Sequence, residues 1–326
     1  MSGGPLFIVG MSRSGTQLLR ELLNRHPGIA IPRKETHFIP LLLRRFVRRY
    51  GEDERRQAFR IVRGSDFYED LRLAGHAPDD NELRELMAAA DVRQAVERLM
   101  RRCAVSEGKQ AGWLWGDKTP NNMVHLPLLA QAFPRARMLH IIRDPRDRAA
   151  SARRVWGADP LLSAELWARK VATARRDGMT LGERYRELRY EELVADVERR
   201  MRKVCEWLEL EFDAGVTRLE RPPDKYAPRA EASGRISASR TAHRKDELAP
   251  AEVRRIEEIV APVAIELGYL PRDSAARHRG VTFGERLFRV GVDRGRKAGF
   301  FLRRWGLRGA VRHIARRAFL YRLGTD

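Results

Sequence analysis

Three groups of residues in this chain could hold and move a charged group. The first is Gly10-Met11-Ser12-Arg13-Ser14-Gly15-Thr16-Gln17. Small residues at this density leave backbone N–H groups uncovered, and N–H groups that open a helix bind anions. Gly10 and Gly15 have the spacing of the nucleotide loop G-x-x-x-x-G-K-[ST], but Thr16 stands where that loop has its lysine. Arg13 is the one cation inside the turn. Arg13, Ser14, Gly15, Thr16 and Gln17 thus form a candidate cradle for a phosphate-like anion, without the usual kinase chemistry.

The second group is Arg143-Asp144-Pro145-Arg146-Asp147-Arg148-Ala149-Ala150-Ser151. Arg143 offers a planar fork for phosphate oxygens, and Ser151, eight residues on, offers a directional donor. A surface ion pair between Arg143 and Asp144 is the plainer reading. The third group is Arg33-Lys34-Glu35-Thr36-His37. A carboxylate or an imidazole within hydrogen-bond reach of an alcohol takes its proton, so Glu35 and His37 both qualify as bases. Ion pairing of Glu35 with Arg33 or Lys34, and His37 as a polar helix start, are their structural alternatives.

These groups need rigid elements behind them. Leu6–Val9 and Ala136–Ile142 read as buried strands, the first leading into the cradle and a helix from Thr16, the second into Arg143. Ser151 falls on the helix that follows. Asn24–Pro32 reads as a helix end and a short strand. Trp113–Asn121 reads as a strand ending in a turn, where Pro120 pushes Thr119 out of helix. Residues 41–110 are helical and unspecific. Trp167–Arg184, Val197–Leu210 and Pro250–Tyr269 read as helices, the last closed by Gly268, while Arg221–Ala249 is loop-like. No internal repeat is present.

At 326 residues the chain can bury a full core, as one α/β domain with appendages. No apolar run reaches the length of a membrane span. Cys103 and Cys205 lie far apart in charged, helix-like surroundings, which suggests neither a disulfide framework nor a metal site and fits a reducing cytoplasm. The net charge of +20 calls for polyanionic company. More than half of that excess lies in the tail, where Arg277–Arg322 holds fourteen Lys/Arg against Glu285 and Asp293. Phe283, Leu287 and Val290 recur there at spacings of three and four. That pattern predicts amphipathic helices interrupted by Gly291, Gly295, Gly299, Gly306 and Gly309. Such a tail either packs on the domain with a solvated basic face, the reading favoured slightly, or lies on an anionic membrane surface.

The Arg13-Ser14-Gly15-Thr16-x-Leu18-Leu19 form resembles the 5′-phosphosulfate loop of sulfotransferases that use 3′-phosphoadenosine 5′-phosphosulfate. It is similar to the bacterial and tyrosylprotein-type branch, in which arginine replaces lysine. Arg143 and Ser151 match that family's 3′-phosphate pair, and the resemblance runs over about residues 5–270. It implies an α/β, P-loop-like and mostly parallel sheet flanked by helices, with ligands at the strand C-termini. The sulfotransferase domain would span 1–275 and a basic helical extension 276–326.

The resemblance also implies the chemistry: in-line transfer of the sulfuryl group to an acceptor hydroxyl of unknown identity, with no metal. Glu35 matches the glutamate base of the tyrosylprotein-type branch and is favoured. His37 matches the histidine of cytosolic enzymes. Lys118 matches the lysine of a G-x-K-T/D-P element that faces the sulfuryl group, and would share with Arg13 the stabilisation of developing charge; a solvated turn lysine is the alternative. Tyr190, in Arg189-Tyr190-Glu191-Glu192-Leu193, matches a tyrosine that packs near the adenine, against the alternative of a core aromatic. Arg244 and Lys245 are the candidates of a basic flap over the phosphates, in which His243 stands where many bacterial relatives have tryptophan.

The expected location is cytoplasmic, or peripheral to the inner membrane face through the tail. Two other functions stay open. A P-loop kinase would need ATP and Mg²⁺, and the absent lysine speaks against it. A nucleic-acid binder would exploit the charge, yet no helix-turn-helix, zinc-ligand or aromatic RNA-binding motif is present, so no nucleic acid is expected. A catalytically dead binder of the bisphosphate product is a third possibility.

Overall fold

The structure, a computed structural model, describes residues 4–106, 108–109, 114–219 and 247–322. Five parallel strands form one sheet: β1 (Leu6–Gly10), β2 (Ile29–Ala30), β3 (Leu114–Lys118), β4 (Arg137–Ile142) and β5 (Tyr185–Arg189), in the order β2-β3-β1-β4-β5. Alternation in β1 explains why it is central. Leu6 and Ile8 enter one core with Leu139 and Ile141, while Phe7 and Val9 enter the other with Met138 and Ile142. Both faces are therefore covered by helices, as a parallel sheet requires.

On one face lie α1 (Thr16–Leu23), α10 (Tyr190–Ala195) and α11 (Val197–Trp207). On the other lie α2 (Ile39–Phe46), α3 (Glu52–Arg63), α4 (Asp66–Leu73), α5 (Asp80–Met87) and α6 (Val92–Ser106), all inserted between β2 and β3. They are joined there by α7 (Leu126–Ala132), α8 (Pro145–Trp156), α9 (Pro160–Met179) and α12 (Pro250–Glu266). The last helix, α13 (Phe283–Arg322), is bent at Gly306.

β1 lies between β3 and β4: the chain leaves β1 for the edge strand β2 on one side and later crosses from β3 to β4 on the other, so the loop after β1 sits where the strand order reverses, the usual ligand crevice of such sheets. The Arg189–Leu193 segment spans two elements. It ends β5 at Arg189 and opens α10 at Tyr190, with Leu193 and Val194 turned into the core. The tail glycines also behave differently from expectation, because only Gly306 leaves helical geometry. A glycine inside a helix costs about 1 kcal/mol, which neighbouring turns can absorb. Cys103 and Cys205 are free and buried. Among the described residues no helix is long and apolar enough to cross a membrane.

Candidate active site

The cradle is built by backbone that side chains would obstruct. Gly10 has φ +152°, and a Cβ there would come within 2.4 Å of the Ile141 carbonyl oxygen, so β1 ends too close to β4 for any side chain. Ser14 N–H donates to the Met11 carbonyl at 3.0 Å and closes the turn. Gly15, at φ +97°, then starts α1, which no side chain caps. Its first-turn N–H groups are left for an anion. Ser14 Oγ is fully buried and has no hydrogen-bond partner. A buried hydroxyl without a partner is costly, and an oxygen-rich anion in the loop would satisfy it. Thr16 is buried, and the Gln17 side chain reaches along the helix to Glu21 at 2.7 Å.

The second group meets the first directly. Arg13 Nε donates to Ser151 Oγ at 3.1 Å, and Arg143 Nη1 donates to the Arg13 carbonyl at 3.1 Å. The Arg143 guanidinium lies 4.4 Å from the centre of the Tyr190 ring, and that ring occupies the space a Cβ on Gly15 would need. Arg143 is buried, which removes it from the role of a surface ion pair. Its peptide is held on both sides. Trp167 Nε1 donates to the Arg143 carbonyl at 3.1 Å, and Asp144 N–H donates to Glu191 Oε1 at 2.9 Å. The Tyr269 hydroxyl sits 2.9 Å from the other Glu191 oxygen.

One cation in this region escaped the reading of the sequence. Arg148 is buried and bonds the Ser12 carbonyl at 3.1 Å and the Ser163 carbonyl at 3.0 Å, with a further bond to the Ser163 hydroxyl. Burial, with the nearby Arg13 charge, lowers its pKa to about 10. The signal was available, because Arg148 lies three residues before Ser151 and so shares its face of α8.

The third group closes on a shared carboxylate. Glu35 Oε1 accepts from Lys118 Nζ at 2.9 Å, and Glu35 Oε2 lies 3.0 Å from His37 Nε2. Burial pushes the Glu35 carboxyl up, but the His37 hydrogen bond and the Lys118 charge outweigh it and bring the pKa to about 2. Lys118 is buried at the end of β3, in register with Ile8 of β1, so it is not a solvated turn lysine. Asp117, beside it, accepts from Thr36 Oγ1 at 3.0 Å, Thr119 Oγ1 at 3.0 Å and Asn122 Nδ2 at 2.8 Å. Burial raises its pKa to about 6 against those bonds. Asp117 therefore pins Thr36, the residue between Glu35 and His37. A buried carboxylate flanked by hydroxyls was its only trace in the sequence.

Among the described residues, three other than glycine have positive φ, and two of them belong here: Arg13 at 77° and His37 at 52°. Backbone held in such a conformation clusters at functional sites. Arg244 and Lys245 lie outside the described residues.

A sequence profile of the sulfotransferase family matches residues 5–214, which contain every element of this site described above except Tyr269. The chain belongs to the sulfotransferase family. Protein-tyrosine sulfotransferase 1 of Danio rerio is 25% identical over 288 residues, covering 82% of this chain and 72% of the relative. The solved sulfotransferase domain from the curacin biosynthetic pathway shares the fold. It matches at a TM-score of 0.51 and 18% identity, over 82% of this chain and 98% of its own. A solved sulfotransferase from Alicyclobacillus acidocaldarius matches at a TM-score of 0.46 and 18% identity, over 86% of this chain and all of its own.

Proposed function

We propose that this family member transfers the sulfuryl group of 3′-phosphoadenosine 5′-phosphosulfate to an acceptor hydroxyl. The observation that carries this is the joining of two anion-binding elements, through Arg13 to Ser151 and Arg143 to the Arg13 carbonyl, around a buried Ser14 hydroxyl that lacks a partner. A donor with phosphates at both ends of a nucleoside suits two such elements side by side. Ser14, Arg13 and the first N–H groups of α1 would hold the phosphosulfate; Arg143 and Ser151 would hold the 3′-phosphate. When bound, the donor supplies an activated sulfuryl group.

The residues of the chain supply the rest. Lys118 and Arg13 place positive charge where the displaced oxygen becomes negative, and a preplaced charge lowers a barrier more than one that must reorganise. The Glu35–His37 pair receives the acceptor proton, with Glu35 as the favoured base and His37 as the group it orients. Glu35 is ionised throughout the neutral range and is thus ready to accept. Its affinity for the proton is low, which makes the adjoining imidazole a natural second station. Asp117 and Lys118 keep the pair in place.

Calorimetric titration with adenosine 3′,5′-bisphosphate tests this, with ATP and Mg²⁺ as the control. Binding of the bisphosphate that Arg143→Ala removes, followed by transfer of labelled sulfate to a phenol or alcohol acceptor, is the expected result. Binding of ATP in place of the bisphosphate would overturn it.

A further inference from the structure

Helix α13 is docked by the wrong face for a soluble appendage. A helix that packs on a domain buries its apolar side and exposes its charges. Here a run of ion pairs makes the contacts with the domain, beside half-buried Val290, Val292 and Phe300 on the same half of the helix. Glu285 pairs with Arg255 at 3.0 Å, Arg286 pairs with Glu165, Arg289 pairs with Asp159 at 2.9 Å, and Asp293 accepts from Asp159 N–H at 2.9 Å. The opposite side carries Phe283, Leu287, Phe288 and Leu302, which are 81%, 67%, 74% and 45% exposed. Exposed Gly284, Gly291, Gly295 and Ala298 complete that side with small residues. Past the bend at Gly306, Leu307 and Val311 are exposed at a spacing of four. Single exposed apolar residues need no explanation, but a stripe along successive turns does.

Charge identifies the occupant. Residues 283–322 contain twelve Lys/Arg against Glu285 and Asp293. Arg294, seven residues past Leu287, stands exposed on the stripe's side of the helix, and Arg303 is exposed farther along. A second copy would bring a helix of the same charge against this one, and a nucleic acid would leave the phenylalanines in water. An apolar stripe bordered by guanidinium groups fits a bilayer, where the stripe enters the acyl boundary and the guanidiniums meet anionic headgroups. We infer that the outward face of α13 seats the protein on an anionic membrane surface, with the ion pairs to Arg255, Asp159 and Glu165 fixing the domain above it. This holds whether or not the site is a sulfotransfer centre.

Co-sedimentation of the full chain with phosphatidylcholine vesicles, with and without phosphatidylglycerol, tests the inference. Binding should require phosphatidylglycerol and weaken as salt rises. The combined change Phe283→Ser, Leu287→Ser and Phe288→Ser should lower the bound fraction by about tenfold, since apolar burial contributes alongside charge. Its circular dichroism and bisphosphate binding should match the parent. Cys103 and Cys205 are buried, so Leu287→Cys also accepts an environment-sensitive fluorophore selectively, and its emission should shift to the blue on vesicles. Undiminished binding of the serine variant would reduce the tail to a charged surface and overturn the inference. So would no sedimentation with either vesicle, an unshifted emission, or self-association that the serine variant abolishes.

Discussion

The side chains of Arg13 and Ser151 touch across 138 residues of sequence, with Nε donating to Oγ at 3.1 Å. The loop after β1 and the helix after β4 thereby form one surface. A ligand anion arriving at either element meets a partner already positioned by the other.

Removing either end of that surface should therefore be felt in binding of the bisphosphate. Ser151→Ala should weaken adenosine 3′,5′-bisphosphate by about tenfold and Arg143→Ala by about a hundredfold, the range expected for hydrogen bonds to charged groups. Titration calorimetry reads both. Unchanged affinity in Arg143→Ala would refute the placement of the 3′-phosphate.

Glu35→Ala should lower kcat by about 10²–10⁴ and leave bisphosphate affinity intact, as loss of a general base does. A fully active variant removes Glu35 from the mechanism. The pH profile separates it from its neighbour. A lowered pKa of about 2 keeps the charged form present at every higher pH. Any acid limb in kcat above about pH 4 then belongs to another group, and its loss in His37→Gln would assign it to the imidazole.

Arg148→Met keeps much of the volume and removes the buried charge. It also leaves the Ser12 and Ser163 carbonyls without their donor, a cost of about 1–3 kcal/mol, so the free protein should melt lower than the parent. Its melting temperature should also rise less on addition of the bisphosphate, because the cation behind Ser12 is gone. Thermal melts with and without ligand give both numbers, and an undiminished ligand shift would leave Arg148 a structural residue only.

His140 contributes to the acid lability of the fold. Burial lowers its pKa from 6.5 to about 3, so the fold keeps the ring neutral while the unfolded chain protonates it. That contribution is complete above about pH 6.5 and is lost progressively as pH falls toward 3. Asp117 runs the other way, since its raised pKa of about 6 favours the fold as acid is added between 6 and 3.8. Denaturant midpoints of the parent and His140→Phe across this window isolate the histidine. The variant should decline less steeply with acid, and parallel curves would contradict the assignment.

Much of this was legible before any coordinates. The runs at Leu6–Val9 and Ala136–Ile142 showed both strands, because a strand buried on two faces needs no polar alternation and only Arg137 and His140 interrupt them. Gly10 and Gly15 were readable because the backbone geometry at both positions demands glycine. Asp117 and Glu191 were not, since their roles consist of hydrogen bonds to groups far away in the chain. The split after Arg189 was hidden for a different reason: Tyr190 and Leu193 suit a buried strand and a short helix equally well. The orientation of α13 was also out of reach. Periodicity shows that a helix has two sides, and only the ion partners Asp159, Glu165 and Arg255 show which side is taken.

The stack of Gly15, the Tyr190 ring and the Arg143 guanidinium acts as a calliper. Its jaws are the start of α1 and the end of β4, and the thickness of one aromatic ring sets how far apart they stand. A methyl group at position 15 would fall 2.4 Å from that ring and force it outward, carrying the guanidinium with it. The distance between the two centres of positive charge is thus gauged by a hydrogen atom on one α-carbon.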